Sequence, residues 1–175
     1  SSSSAASDVY KRQLLLKFLY LTAARRSEAA NLKWEDLHQD GEFQVVILQQ
    51  TKSGEPQKLK LRRELFEELE CWNETLKTNQ IECEWVFPSL SFRTLGGKMS
   101  GKGVNDVVSK LGSAIGLKIS AHYLRHTAIT LALELGEPLQ KVQSYARHAS
   151  ANTTIRYFHD QQFLEKNPTD RLPMI

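Results

Sequence analysis

Two arginines, a lysine, two histidines and a tyrosine are the side chains of this 175-residue sequence whose types and spacing can do chemistry together. They stand in the order Thr22-Ala23-Ala24-Arg25-Arg26-Ser27-Glu28, Thr51-Lys52-Ser53-Gly54, His122-Tyr123-Leu124-Arg125-His126-Thr127, His148 and Tyr157, with His148 nine positions before the tyrosine. Cleaving a phosphodiester without losing its energy requires a side-chain nucleophile, cations around the non-bridging oxygens and an acid for the departing oxygen. A tyrosine hydroxyl, with a pKa of about 10, is a poor nucleophile at neutral pH unless cations stabilise the phenolate and the phosphorane that follows. Arginine suits those oxygens because its planar fork donates two parallel hydrogen bonds and keeps its charge. Two arginines can therefore take the place of a metal ion.

The elements that must position these groups are legible in outline. Apolar residues crowd residues 14–24, which reads as a buried helix, and Ser27 is placed to cap a second short helix reaching residue 32. Asp40-Gly41 and Ser53-Gly54-Glu55-Pro56 are turn signals around a Val/Ile-rich run at 43–50 and a short run at 58–61, which together suggest a small β-hairpin or meander. Leu65, Phe66, Leu69, Trp72 and Leu76 recur at helical spacing and predict a helix over 63–77. Residues 91–103 read as an exposed basic loop. Val104, Val107, Val108, Leu111 and Ile115 mark a further amphipathic helix. Another helix should span 122–135 and stop at Gly136, and Pro138 opens a short one ending near Ala146. Ser150, Ala151 and Asn152 are candidate caps for a last helix carrying Thr153, Thr154 and Tyr157. The fold class expected is α+β, mainly α: a helical domain with a small antiparallel sheet in the N-terminal third.

Composition sets the outer bounds. The sequence is 41% hydrophobic and 25% charged, the balance of one globular domain. No apolar run approaches the roughly 20 residues of a membrane span, so no membrane partner is expected. Residues 1–13 form a Ser/Ala tract joined to a basic patch and read as a linker, neither secretory signal nor core. Cys71 and Cys83 are too few and too far apart for a disulfide framework or a zinc ribbon, and reduced thiols in a cytoplasmic protein are the default. Lys and Arg outnumber acids by 23 to 20, which permits a polyanion partner without requiring one.

The joint pattern of Arg25-x-Ser-Glu28, Lys52, His122-x-x-Arg125, His148 and Tyr157 resembles the tyrosine recombinase, or phage integrase, family over nearly all of residues 14–159. The resemblance implies a catalytic domain at 14–160 and a C-terminal tail at 161–175, with Phe163 and Leu164 on an arm that docks on a neighbouring protomer. It implies site-specific cleavage and religation of double-stranded DNA through a 3′-phosphotyrosine, on a chromosome or mobile element, by a homotetramer working with no metal, ATP or other cofactor. Arg25 and Arg125 would clamp the scissile phosphate, His122 and His148 would donate to it or exchange protons there, Lys52 would protonate the leaving 5′-oxygen and Tyr157 would attack phosphorus. Glu28 would orient the active-site arginine. The family also implies a DNA-binding domain N-terminal to this one, and a protein that works on the nucleoid. Two positions where the family usually carries glycine hold Ala23 and Arg147 here. Arg147 is read either as an added phosphate contact or as a change in the turn before Tyr157. Arg26, Lys98 and Lys102 are further possible DNA contacts.

Each signal has a plainer reading. Lys52 alone would be a solvated turn residue, and Lys58 on the same hairpin competes with it. His122 and His126, four apart, invite a zinc site, but no Glu lies between them, Arg125 adds a charge beside the ion and no third ligand is evident, so His126 is read as structural. Tyr10, Tyr20, Tyr123 and Tyr145 are rivals of Tyr157 that read as packing, and Trp34, Trp72 and Trp85 read as core. Two other functions compete with recombination: a type IB topoisomerase that reseals the same strand, and a DNA-binding module that has kept the fold without the chemistry.

Overall fold

The computed structural model describes residues 2–49, 54–148, 151–155, 169 and 173–174. Helix α1 (Ser2–Thr22) is followed by α2 (Arg26–Ala30) and by three antiparallel strands, β1 (Leu37–Asp40), β2 (Phe43–Leu48) and β3 (Gln57–Leu61). Helices α3 (Arg63–Thr78), α4 (Gly101–Ala114), α5 (Ala121–Glu134), α6 (Leu139–Ala146) and α7 (Ala151–Ile155) complete the described order. The sheet is a simple meander with β2 in the middle, Leu37 opposite Val46 and Gln44 opposite Leu61. The architecture is the mainly helical α+β class expected from the pattern, with one strand more than the Val/Ile runs identified. Strand β1, Leu-His-Gln-Asp, has no apolar alternation because only Leu37 of its four residues is turned partly inward.

The sharpest departure from the sequence reading is at the beginning. The first 13 residues were expected to be a linker, yet α1 starts at Ser2 and runs unbroken to Thr22. Its first half is polar, so no apolar stripe announces it, but its contacts are specific. Tyr10 packs edge-on against Trp72 with ring centroids 5.9 Å apart and donates its hydroxyl to the Glu68 carbonyl. Lys11 is buried, and its Nζ donates to the Pro88 carbonyl, fixing α1 to the segment that leads into α4. A lysine in that setting resists ionisation, and burial lowers its pKa.

Two apolar clusters divide the work. The larger one gathers Leu14, Leu15, Phe18 and Leu19 of α1, Val46 and Leu48 of β2, Leu61 of β3, the Leu65-Leu69-Trp72-Leu76 face of α3, and Val104 and Val108 of α4. Helix α3 forms where the 3.6-residue spacing says it should, with Glu64 in its first turn and Lys77 in its last complementing the helix dipole. Trp72 is fully buried and its indole donates to the Val86 carbonyl at 2.7 Å. The smaller cluster joins Ala23 to Ala128, Ile129 and Leu133 of α5 and Val142 and Ala146 of α6. It carries α5 and α6 as a pair against the end of α1. Trp34 is partly exposed and packs against the larger cluster, whereas Trp85 is not core and lies beneath two lysines. Among the described residues no helix is long and apolar enough to cross a membrane.

Candidate active site

The α1–α2 junction is where the site begins. Ala23 adopts a left-handed backbone (φ 50°), which turns the chain sharply after α1 and delivers Arg25 as the N-cap of α2. Ser27, the cap expected from sequence, lies inside the helix. The capping is done from the other end of the first turn, where the Glu28 carboxylate reaches back to accept the Arg25 backbone N–H at 2.7 Å. The same carboxylate, with no exposed surface, accepts the Arg25 guanidinium at 3.0 Å. One buried acid thus fixes both the main chain and the side chain of Arg25.

Helix α5 supplies the second arginine. Ser120 caps it through the Tyr123 N–H, and the Asn105 side chain of α4 accepts the Ala121 N–H, so the start of α5 is tied both to itself and to α4. His122 sits in the first turn. Arg125, one turn on, is buried and donates to the carbonyls of Ala23 and Ala146. Those bonds span the α1–α2 junction and the end of α6, so Arg125 is positioned by tertiary contacts rather than by its own helix.

Arg25, Arg26, Ser27, Asn105, Ser120, His122 and Arg125 together line an open cavity of about 470 Å³ between α2, α4 and the start of α5. Three arginines and the N-terminus of α5 line one space, an arrangement that concentrates positive potential where an anion can enter. Among the described residues no three His, Cys, Asp or Glu side chains gather closely enough to hold a metal ion.

His148 follows α6, close enough to Arg125 and Arg25 to feel their charges. Its Nδ1 lies 2.8 Å from the buried hydroxyl of Thr154 on α7. Burial, then the charges of Arg125, Arg25 and Arg147, push its pKa down to about 4, so it is a neutral imidazole at physiological pH. A neutral imidazole can give or take a proton, and the Thr154 contact holds the ring in place.

Other sequence candidates fall in various places. Lys52 and Tyr157 lie outside the described residues. Lys58 is ion-paired with Asp40 across the exposed sheet, which occupies the rival of Lys52. Tyr10 and Tyr145 are packing residues; the Tyr145 hydroxyl donates to the Leu21 carbonyl, and burial raises its pKa to about 12. Tyr20 packs against the smaller core and Tyr123 is exposed. His126 is exposed on α5. Lys102 belongs to the first turn of α4, not to a loop, and is exposed. Lys98 stands over the Trp85 ring at 5.5 Å from its centroid, with Lys33 at 5.1 Å.

Arg147 needs a correction. The expectation included a phosphate contact, but its side chain is turned inward and only 3% exposed, ion-paired to Glu28 at 2.7 Å and donating to the carbonyls of Thr22, Ala23 and Tyr145. Sequence reasoning also missed Ser27, Asn105 and Ser120 in the cavity and Thr154 beside His148. Ser120 carried a signal, as a capping residue directly before the helix bearing His122 and Arg125. Asn105 had none.

The phage integrase family model matches residues 2–163. The chain belongs to that family. Similar proteins include a tyrosine recombinase XerA from Pyrococcus horikoshii, 31% identical over 153 residues, covering 87% of this chain and 52% of that protein. A tyrosine recombinase of Synechococcus elongatus is 31% identical over 161 residues, covering 90% of this chain and 50% of that one. Among solved folds, the XerH site-specific recombinase in a post-cleavage complex with its palindromic difH substrate matches 95% of this chain and 47% of its own, with a TM-score of 0.78 at 24% identity. A XerA recombinase crystal structure matches 99% and 62%, with a TM-score of 0.74 at 23% identity. These integrase-family folds have the same helical architecture. The chain spans about half the length of the curated relatives it matches.

Proposed function

We propose that this chain is the catalytic part of a site-specific recombinase that cuts and rejoins double-stranded DNA. The observation that carries the reading is the cavity lined by Arg25, His122 and Arg125, with Glu28 anchoring the first arginine and His148 within reach of the arginines' charges. A scissile phosphate seated there would meet two guanidinium groups, whose charge offsets that developing on the phosphorane oxygens. Tyr157 Oη then attacks phosphorus, the bond to the 5′-oxygen breaks and Lys52 supplies the proton that oxygen takes up. The product is a 3′-phosphotyrosine, and attack by the 5′-hydroxyl of another strand regenerates the phenol. His122 and His148 donate to the phosphate or exchange protons beside it. The Thr154 hydroxyl, 2.8 Å from Nδ1, holds the His148 ring for that exchange.

Phosphodiester energy is conserved throughout, so the reaction consumes no nucleotide, and the arginines supply the cationic stabilisation that a metal would otherwise bring. The printed names of the relatives, all recombinases, favour strand exchange over relaxation by a type IB topoisomerase. In the same reading the partners are duplex DNA, three further copies of the chain and an N-terminal DNA-binding domain, the residues from Gln161 onward form the arm between protomers, and the protein works on the nucleoid. Arg26 in the cavity lining, Lys102 in the first turn of α4 and Lys98 before it are the proposed backbone contacts.

The test is covalent capture on nicked duplexes carrying the target site. The parent protein should give an adduct that survives a denaturing gel, and Tyr157→Phe should bind the duplex without forming one. An unchanged adduct in the Phe variant would move the nucleophile elsewhere.

A further inference from the structure

Arg147 closes α6 in a left-handed conformation, φ 58° and ψ 40°, that side chains other than glycine rarely adopt. What holds it there is its guanidinium. Nη1 donates to the carbonyls of Thr22 at 3.1 Å and Tyr145 at 2.8 Å; Nη2 donates to the Ala23 carbonyl at 3.0 Å and to Glu28 Oε2 at 2.7 Å. Both Nη atoms are therefore committed to the protein. The Glu28 carboxylate, fully buried, is gripped from two sides, by Arg25 facing the cavity and by Arg147 behind it.

We propose that Arg147 is a positioning residue of the anion site, which neutralises Glu28 from the buried side so that the charge of Arg25 remains available to a phosphate. The inference rests on reading the cavity as a phosphodiester site. Charge counting gives the physical reason. Arg25 and Glu28 alone form a neutral pair, and a buried carboxylate 3.0 Å from the guanidinium opposes any anion that approaches it. With Arg147 added the trio carries a net positive charge, while Glu28 keeps its geometric hold on Arg25. Arg147 also joins two turns of the site. Its bonds to Thr22 and Ala23 tie the turn that precedes His148 to the turn that precedes Arg25, and Arg125 donates to the same Ala23 carbonyl.

Inorganic phosphate is the probe, titrated against the whole chain while the arginine side-chain NMR signals are followed, with Arg25→Lys and Arg125→Lys assigning them. The parent should bind phosphate at both arginines. Arg147→Gly, which suits the positive φ, should weaken binding on the order of tenfold. Adding Glu28→Gln to Arg147→Gly should recover most of the loss, because it removes the carboxylate charge that opposes the phosphate and keeps an acceptor oxygen for Arg25. Arg147→Lys should retain most of the affinity at reduced thermal stability. A merely structural Arg147 predicts the opposite, with the Lys and Gly variants losing affinity equally and Glu28→Gln deepening the loss; either result overturns the proposal, as does unchanged binding in Arg147→Gly. A parent protein that binds no phosphate at Arg25 and Arg125 would overturn the phosphate-site reading itself.

Discussion

Replacing Glu28 by alanine should destabilise the fold more than any other single substitution at the cavity. The side chain has no exposed surface and accepts three hydrogen bonds: one from the Arg25 backbone, one from its guanidinium and one from Arg147. Its removal leaves the Arg147 guanidinium, 3% exposed, as a buried cation with only carbonyl partners. Breaking a buried ion pair from one side costs about 3–5 kcal/mol, far above the 0–1 kcal/mol of a surface pair. For a chain of this size each kcal/mol moves Tm by roughly 2–4 °C, so a fall of about 6–20 °C is expected. The assay is urea unfolding followed by tryptophan fluorescence, with Arg147→Met and the double variant alongside. Arg147→Met should cost less, about 1–3 kcal/mol, because Glu28 keeps Arg25 as its partner. The double variant has no unpaired buried charge and should be more stable than the sum of the single losses predicts, by about 2 kcal/mol or more. Additive losses, or a Glu28→Ala protein within about 1 kcal/mol of the parent, would refute the buried network as described.

Three further outcomes are expected. Gly112→Ala should destabilise by about 1–3 kcal/mol in thermal or urea unfolding, even though alanine favours helix by about 1 kcal/mol; the added Cβ would lie 2.6 Å from the Leu117 carbonyl oxygen and 2.4 Å from Ile119 Cγ1, and a stabilised variant would contradict that packing. His148 has a folded pKa of about 4 against an ordinary 6.5, so below pH 6.5 the unfolded chain takes up a proton that the folded one refuses. Its share of stability is complete above pH 6.5 and is lost as the pH falls towards 4, and His148→Asn should flatten that part of the profile of urea midpoints against pH. In the covalent-capture assay, EDTA should leave adduct yield unchanged; a loss restored by magnesium or zinc would overturn the metal-free chemistry.

The comparison of sequence with structure turns on what local patterns can encode. Helices α3, α5 and α6 follow from periodic apolar residues, Ser120, Gly136 and Pro138, because those signals act within one or two turns. Helix α1 was legible only in its apolar second half; the polar first half is held by Tyr10 and Lys11 reaching partners on α3 and before α4, distant in sequence. The identities and order of Arg25, Glu28, His122, Arg125 and His148 are linear information and sufficed to suggest the family. The direction in which each side chain points is not. Arg147 is one more surface cation when read in sequence, and only the left-handed turn and the carbonyls of Thr22 and Ala23 draw it inside to meet Glu28. Asn105 and Ala23 likewise acquire their roles from a neighbour 16 residues away or from backbone conformation. Residue types and short-range periodicity thus determined the chemistry available and most of the helices. Burial, charge pairing and the convergence of groups on one cavity were decided by the tertiary structure, because desolvation and Coulomb energies depend on distance in space and not on separation along the chain.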